Sequence, residues 1–292
     1  MSAPHEDPDN PSLNELIDKE DFSLQYVSID DAINIIKKLG IKSWLIKTDI
    51  TNAFKVMPLA TRLWPYHGIK WEDKFYFFNK LVFGCRSSPK IFDTLSLAIC
   101  WIAKENYHIE NVLHLLDDVL VILPAEANVG EVRNTFLNIF KNLGIPLSAK
   151  KTEGPSLVIE YLGIYLDPVK MEARLPREKI VRIQAVIEAF TGKNSCTKRQ
   201  LLSLLGHLNF ARRVILPGRS FVSHLIKLST TVIPDFLYHL TNVFTNCSMN
   251  IDQLVFKLLE VTLVLVRKSL KFLLLRNQFP IVGQSMNNRN CV

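Results

Sequence analysis

The sequence is poor in cysteine and lacks the cysteine spacing that builds a metal site or a disulfide framework. Its five cysteines are scattered over 292 residues with no CxxC pair, which argues against both and fits a reducing compartment. The amino terminus has no apolar stretch typical of a secretory signal. The most apolar run, residues 254–266, contains Lys257 and Glu260 and is too short and too charged to span a membrane. We therefore expect an intracellular protein of the cytoplasm or nucleus, not secreted and without a membrane partner.

Negative charge is scarce beyond the first thirty residues. The chain has 35 Lys and Arg against 28 Asp and Glu, a net charge of +7. Residues 1–30 hold eight acids and one lysine, so residues 31–292 carry +14. A basic body suits a polyanion such as nucleic acid, although mild basicity is also common among soluble proteins. The hydrophobic share of 48% suffices for one large core or two small ones.

Two adjacent acids, Asp117 and Asp118, lie between the apolar runs 112–116 and 119–123. This pattern predicts a β-hairpin with both acids at its tip. Two neighbouring negative charges repel each other, and a bound cation is the usual remedy.

A third acid, Asp49, ends another apolar segment, residues 44–48. Carboxylates from separate strands that converge on a pair of Mg²⁺ ions are what two-metal phosphoryl transfer requires. The alternative interpretation is a set of exposed turn acids with no metal.

The rest of the pattern alternates strands and helices and is typical of an α+β domain. Residues 1–25 are rich in Pro, Asp, Asn and Ser and indicate a loosely ordered lead-in. A capping box at 28–31 predicts a helix over 28–39 that Gly40 ends. The other predicted elements are a hairpin arm at 71–78, a loop at 81–89, helices near 91–105 and 129–143, and a strand pair at 157–166.

After Pro176 the apolar period becomes helical. Thr197 and Gln200 form a second capping box before a leucine stripe, so residues 177–230 indicate a small helical unit. Residues 232–292 are leucine-rich and carry no clear motif.

Eight short motifs follow one another along residues 8–230. They are residues 19–24 (KEDFSL), 47–54 (KTDITNAF), 82–89 (VFGCRSSP), 116–118 (LDD), 151–155 (KTEGP), 161–164 (YLGI), 171–176 (MEARLP) and 217–219 (PGR). In this order the set resembles the reverse transcriptases of DIRS-type (tyrosine-recombinase) retrotransposons. The resemblance implies a right-hand polymerase: a palm with partial fingers over 26–170, a helical thumb over 171–231 and a divergent helical tail over 232–292.

The resemblance also implies a role for each acid. Asp49 and Asp117 would bind two Mg²⁺ ions, or Mn²⁺ in their place, and Asp118 would assist. The implied activity is RNA-directed DNA synthesis, with a primed RNA or DNA template and deoxynucleoside triphosphates as partners.

Other site residues are implied in the same way. Phe54 would lie under the sugar of the incoming nucleotide and exclude a 2′-hydroxyl. In the loop, Gly84 would allow close backbone approach and Arg86 would contact template phosphate. Lys151 would lie near the triphosphate, and residues 161–164 would grip the primer end.

Each of these roles has a plainer alternative. Phe54 could be an ordinary core aromatic, Lys151 one half of a solvated pair with Lys150, and Arg86 a surface arginine. His114, on the apolar run before the acids, is expected to be structural.

The sequence departs from the family pattern at three points. Residues 1–7 contain no Arg or Lys where the family has a basic fingers segment, and Leu115 stands where retroviral enzymes have tyrosine. Residues 232–292 hold three acids, too few for the four-carboxylate site of a ribonuclease H. We therefore expect an internal slice of a polyprotein that polymerises poorly alone. A nucleic-acid-binding remnant of weak or no activity, and a chain labelled ribonuclease H from its parent polyprotein, remain alternatives.

Overall fold

The computed structural model describes residues 11–190 and 195–215, together with 222–223, 226 and 238–239. The chain divides into two compact units, Met1–Ala173 and Arg174–Val292. The assignment of a palm, a thumb and a tail to these units stays a prediction.

The helices and strands alternate as the α+β pattern predicts. The helices are α1 (Leu13–Leu16), α2 (Ile29–Leu39), α3 (Ser88–Tyr107), α4 (Val129–Asn142), α5 (Arg177–Glu188) and α6 (Lys198–Ala211), with 3₁₀ turns at Ala53–Val56 and Thr61–His67. The strands are β1 (Trp44–Asp49), β2 (Gly68–Trp71), β3 (Lys74–Phe77), β4 (Val112–Leu115), β5 (Asp118–Leu123), β6 (Glu153–Ser156), β7 (Ile159–Tyr161), β8 (Ile164–Asp167), β9 (Glu172–Arg174), β10 (Ser195–Cys196) and β11 (Tyr238–His239). None of the described helices is both long and apolar enough to cross a membrane.

A four-stranded antiparallel sheet in the order β4-β5-β1-β6 forms the centre of the first unit. Alternate residues of a strand face opposite sides of a sheet. Both sides are covered here, because Val121 and its neighbour Leu120 are each fully buried. Helix α3 packs on α4 and β4, whereas α2 contacts β5. The two acid-bearing strands β1 and β5 are therefore held in the middle of a packed unit.

Helix α2 forms where its capping box predicts it. The Ser28 hydroxyl accepts a hydrogen bond from the Asp31 amide at 3.4 Å, and the Ser28 amide donates to the Asp31 carboxylate at 2.7 Å. Gly40, with φ +93°, donates its amide to the Ile36 carbonyl and ends the helix. The predicted helix over 28–39 is confirmed.

The segment predicted as a loosely ordered lead-in contains a helical turn. Residues 1–10 lie outside the described residues, but Leu13–Leu16 is helical and Ser12 begins it with a capping box to Glu15. The Pro and Asp content of residues 1–25 favoured a disordered interpretation, so this helical turn was not predicted. The turn contacts loop 82–89 through Asn14.

Two other elements differ in extent from the prediction. Helix α3 begins at Ser88, three residues early, because Pro89 fits the first turn of a helix. The run 71–78 is the turn and second strand of a hairpin rather than one arm, with Glu72 and Asp73 at positive φ between β2 and β3.

The described part of the second unit contains helices α5 and α6 and the short antiparallel strand pair β10–β11. Thr197 caps α6 as predicted, accepting a hydrogen bond from the Gln200 amide at 3.3 Å. The leucine stripe of that helix is buried. Most of the leucine-rich segment 232–292 lies outside the described residues.

Candidate active site

Asp49 and Asp118 oppose each other directly across strands β1 and β5. Residues paired in an antiparallel ladder place their side chains on the same face, with Cβ atoms about 4.5–5.5 Å apart. Asp49 is only 5% exposed and Asp118 is half-buried. The sheet therefore holds two carboxylates side by side, one of them buried and the other partly buried.

Asp117 precedes this pair, in the turn of the β4–β5 hairpin. Because Leu115 pairs with Asp118, the two turn residues are Leu116 and Asp117. The prediction that both acids form the tip is wrong by one residue. Leu116 occupies the first turn position with φ +54°, and its carbonyl accepts a hydrogen bond from the Ser96 hydroxyl of α3 at 2.8 Å. This shift is what moves Asp118 into the strand opposite Asp49.

Main-chain hydrogen bonds bring three distant segments together at the end of β1. The Ile50 amide donates to the Asp117 carbonyl at 3.0 Å, and the Thr51 amide donates to the Pro146 carbonyl at 2.8 Å. The Ser148 amide donates to the Asp49 carbonyl at 2.9 Å. The position of both predicted metal-binding acids is thus fixed by backbone atoms.

The three acids disturb one another electrostatically. Burial raises the pKa of Asp117, and the charge of Asp49 adds to that rise. Burial also raises the pKa of Asp118, with a further contribution from Asp117. Lys47 and Lys151 act in the opposite direction on the pKa of Asp118. The site has more negative charge than its lysines balance, which is the condition that favours binding of a cation.

Lys151 is brought to these acids, as the prediction of a cation near the site requires. Its Nζ lies 2.8 Å from Oδ2 of Asp49, and this hydrogen bond, followed by the charge of Asp49, raises the pKa of Lys151. The alternative, in which Lys150 and Lys151 are only a solvated pair, does not account for this contact between Lys151 and Asp49. Its role toward a triphosphate stays a prediction.

A second cation, Lys47, was not among the predicted site residues. It lies two positions before Asp49 on β1, hence on the same face. Its Nζ donates to the Glu160 carbonyl at 2.9 Å and lies 3.7 Å from a carboxylate oxygen of Glu153. The alternation of Lys47 and Asp49 in the strand is the sequence signal that could have identified it.

The three acids offer carboxylate oxygens, which are the type of ligand that a hard divalent cation such as Mg²⁺ prefers. Within residues 11–190 and 195–215, no group of three or more His, Cys, Asp or Glu is arranged to enclose a metal. Polymerase-type Mg²⁺ sites, however, use one or two carboxylates together with substrate phosphates rather than a complete protein cage. Asp49, Asp117 and Asp118 supply oxygen ligands of the right type, with Lys151 balancing Asp49 in this arrangement.

Phe54 lies in the 3₁₀ turn Ala53–Val56, which follows the end of β1, and is 7% exposed. Its ring centroid lies 4.8 Å from that of Phe83 and 5.5 Å from that of Phe92. It is a member of the main hydrophobic core. Phe83, by contrast, is 69% exposed, so the pair connects the core to the surface of the predicted nucleotide loop. The role of Phe54 as a sugar gate stays a prediction.

The predicted loop 82–89 is held by a residue that sequence reasoning missed. Asn14 donates its amide hydrogen to the Gly84 carbonyl and accepts a hydrogen bond from the Arg86 amide, both at 2.7 Å. Gly84 has φ +90° and open space where a Cβ would project, and its close approach to the template and incoming base stays a prediction. No spacing signal points to Asn14, because its partners are 70 and 72 residues away.

Arg86 faces the same helical turn. Its Nη1 donates to the Ile17 carbonyl at 2.6 Å, so part of its guanidinium is used within the protein. The predicted contact between Arg86 and template phosphate remains untested, and this hydrogen bond favours a structural role.

The predicted primer-grip segment, residues 161–164, forms the turn between β7 and β8. Leu162 and Gly163 have φ +49° and +77°, as a two-residue hairpin turn requires. Tyr161 is fully buried, and its hydroxyl has no hydrogen-bond partner. The primer contact itself stays a prediction.

His114 of β4 lies in a chain of polar contacts with two side chains of α3. Its Nε2 lies 3.1 Å from Oδ1 of Asp93, and its Nδ1 lies 3.5 Å from Sγ of Cys100. Burial raises the pKa of Cys100 to about 12, so the thiol is neutral and these contacts join α3 to β4.

Comparison with known proteins identifies the family. The family described as "Reverse transcriptase (RNA-dependent DNA polymerase)" matches residues 9–166, more than half of the chain. The chain is 27% identical over 186 residues to the Pro-Pol polyprotein of feline foamy virus, covering 62% of this chain and 14% of that protein. It is 25% identical over 122 residues to the Gag-Pro-Pol polyprotein of human T-cell leukemia virus 3, covering 39% of this chain and 8% of that protein.

Solved structures agree on the fold. A foamy viral protease-reverse transcriptase in complex with double-stranded DNA superposes with a TM-score of 0.63 at 19% identity, covering 81% of this chain and 38% of that chain. The same kind of protein in complex with an RNA/DNA hybrid gives 0.57 at 18% identity, covering 80% and 29%. The predicted α+β, palm-like fold is confirmed, and the chain spans a minor part of each relative. The chain belongs to the reverse transcriptase (RNA-dependent DNA polymerase) family.

Proposed function

We propose that this chain is the polymerase part of a DIRS-type retroelement reverse transcriptase. It would extend a primer on an RNA or DNA template with deoxynucleoside triphosphates inside the cell. The observation that carries the proposal is the meeting of Asp49, Asp117 and Asp118 at one end of strands β1 and β5. The DIRS-type assignment is supported by the ordered motifs, with leucine at position 115.

Asp49, Asp117 and Asp118 would hold Mg²⁺, or Mn²⁺, which supplies activation of the primer hydroxyl and charge stabilisation at the departing pyrophosphate. Lys151 would move from Asp49 toward the triphosphate once a divalent cation neutralises that carboxylate. Lys47 would remain beside Asp118 and limit the negative charge of the site. Phe54 would present its ring edge to the sugar and exclude a 2′-hydroxyl by size.

Primer extension tests this proposal. The chain is incubated with a primed RNA template, deoxynucleotides and Mg²⁺, and with EDTA as the metal-free control. Extension by the chain alone should be weak, but it should require the metal, and Asp117→Asn should abolish it, since the ligand acts in the transition state. Exposed Glu126→Gln, on the loop after β5, is the matched control and should retain full activity.

An RNA/DNA hybrid cleavage assay run in parallel separates the alternatives. Cleavage without extension would indicate a ribonuclease H. Nucleic-acid binding without either activity would indicate a remnant, and both results would contradict the proposal.

A further inference from the structure

Exposed aromatic side chains concentrate in one segment of the first unit. Among the described residues, eight large hydrophobic side chains in residues 63–78 are exposed. Five of them belong to the hairpin β2–β3, including Trp71 at 65% and Phe75 at 72%. Two-stranded hairpins are marginally stable alone, and single exposed apolar residues are common, but a contiguous patch of this kind marks an interaction surface.

Cations alternate with rings on both faces of this hairpin. Lys74 pairs across the strands with Trp71, and Lys70 pairs with Phe75. Cross-strand partners share a face, so each face presents an aromatic ring beside an ammonium group. Lys70 also forms an ion pair with Asp73 at 2.8 Å, whereas Arg62 and Lys80 add positive charge to the flanks.

The combination of exposed rings and lysines on the hairpin favours unpaired nucleic acid over a protein or a duplex as its partner. Lysine is depleted in the cores of protein interfaces, and an apolar partner would leave both ammonium groups desolvated. Unpaired bases stack on aromatic rings while their phosphates lie next to cations, in a way that tolerates any sequence. A duplex hides its base faces and cannot use the rings in this way.

The base of the β2–β3 hairpin is close in the chain to two candidate site segments, the turn with Phe54 and the loop with Phe83. The Leu59 amide donates to the Asn79 carbonyl at 2.9 Å, and the Leu81 amide donates to the Met57 carbonyl at 3.1 Å. These bonds close the excursion 58–80 within a few residues of Phe54 and Phe83, whose rings are in contact. The base of the hairpin is therefore next to the segments that carry Phe54 and Phe83.

We propose that the β2–β3 hairpin is a stacking surface for single-stranded nucleic acid, the unpaired stretch of the template. The inference rests on the proposed function for the identity of that strand. Trp71 stacks a base beside Lys74 on one face of the hairpin, and Phe75 stacks a base beside Lys70 on the opposite face.

The test measures binding of a fluorescein-labelled 20-nucleotide pyrimidine strand and of a blunt 20-base-pair duplex to the full chain. Trp71→Ala and Phe75→Ala should each weaken single-strand binding by at least about fivefold and duplex binding by less than about twofold. Trp101→Ala is the matched control, since Trp101 of α3 is 60% exposed and should not change either affinity. Lys74→Gln should reduce the dependence of single-strand binding on salt.

Conservative variants provide a second test in case an alanine substitution unfolds the hairpin. Trp71→Phe and Phe75→Tyr retain a ring and should retain single-strand binding. Unchanged binding in the alanine variants, or an equal loss for strand and duplex, would overturn the inference. So would sedimentation showing that the same variants convert a dimer to a monomer, which would make the hairpin a self-association surface.

The result can be separated from the proposed function. Asp117→Asn should abolish extension and leave single-strand binding intact. A chain that extends primers but binds single strands without the hairpin contradicts only this inference. A chain that binds through the hairpin but does not extend contradicts only the proposed function.

Discussion

The ammonium group of Lys151 lies 2.8 Å from the Asp49 carboxylate, although 102 positions separate the two residues in the sequence. A divalent cation at Asp49 has to compete with this lysine. We expect Lys151→Met to tighten Mg²⁺ binding by about two- to fivefold, the range that a solvent-exposed ion pair provides. The measurement is the Mg²⁺ dependence of thermal unfolding, with Lys150→Met as the neighbouring control. Equal Mg²⁺ affinity in both variants would show that Lys151 does not compete.

Asp118→Asn should stabilise the metal-free protein while abolishing extension. Burial and the charge of Asp117 raise the pKa of Asp118, so its ionised form is disfavoured in the fold. Removing one of two charges that oppose each other across strands should raise the free energy of unfolding by about 0.5 kcal/mol. Urea unfolding in EDTA measures this, with Glu126→Gln as control. A loss of stability would indicate that Asp118 accepts a structural hydrogen bond instead.

Gly154→Ala should destabilise the first unit by about 3 kcal/mol or more. A Cβ at this position would overlap the Leu45 carbonyl oxygen, and φ is +99°. Both facts require glycine where β6 meets β1. The control is Gly130→Ala in α4, where a Cβ meets nothing within 4 Å and where alanine should add up to about 1 kcal/mol. Similar urea midpoints for the two variants would contradict the close approach.

Phe54→Val should allow ribonucleotides to be incorporated, because a smaller side chain leaves room for a 2′-hydroxyl. It should also cost about 3 kcal/mol of stability, since Phe54 is a core residue. Phe92→Val is the matched control, as Phe92 is buried behind Phe54 at 5.5 Å and should cost similar stability without changing sugar selection. The ratio of deoxynucleotide to ribonucleotide incorporation is measured for both. If both variants keep that ratio, Phe54 is an ordinary core aromatic.

Asn14→Ala should raise the KM for deoxynucleotides several-fold and change kcat less, because loop 82–89 loses two hydrogen bonds. Asn14→Asp can still accept the Arg86 amide but cannot donate to Gly84, so its KM should lie between those of the wild type and the alanine variant. Exposed Asn106→Ala, near the end of α3, is the control. A uniform fall in kcat with unchanged KM would mean that Asn14 acts on stability alone.

Local signals predicted the elements, and tertiary contacts decided the details of the site. Helix α2 follows from a capping box and a glycine within its own sequence. The position of the turn between β4 and β5 could not be predicted to the residue. The Leu116 carbonyl in that turn accepts a hydrogen bond from Ser96 of α3, a contact that the sequence of the hairpin does not reveal. Asn14 was missed for the same reason, as its partners are remote in sequence. Phe54 was assigned two alternative roles, and the structure places it in the core and next to the loop at once.

The main-chain bonds at the end of β1 affect how such a site can change over evolutionary time. The amides of Ile50, Thr51 and Ser148 fix the strand end by donating to main-chain carbonyls, and every residue type except proline offers the same amide group. Neighbouring side chains can therefore be exchanged freely while the acids keep their positions. This agrees with the retention of the fold in a foamy viral protease-reverse transcriptase at 19% sequence identity.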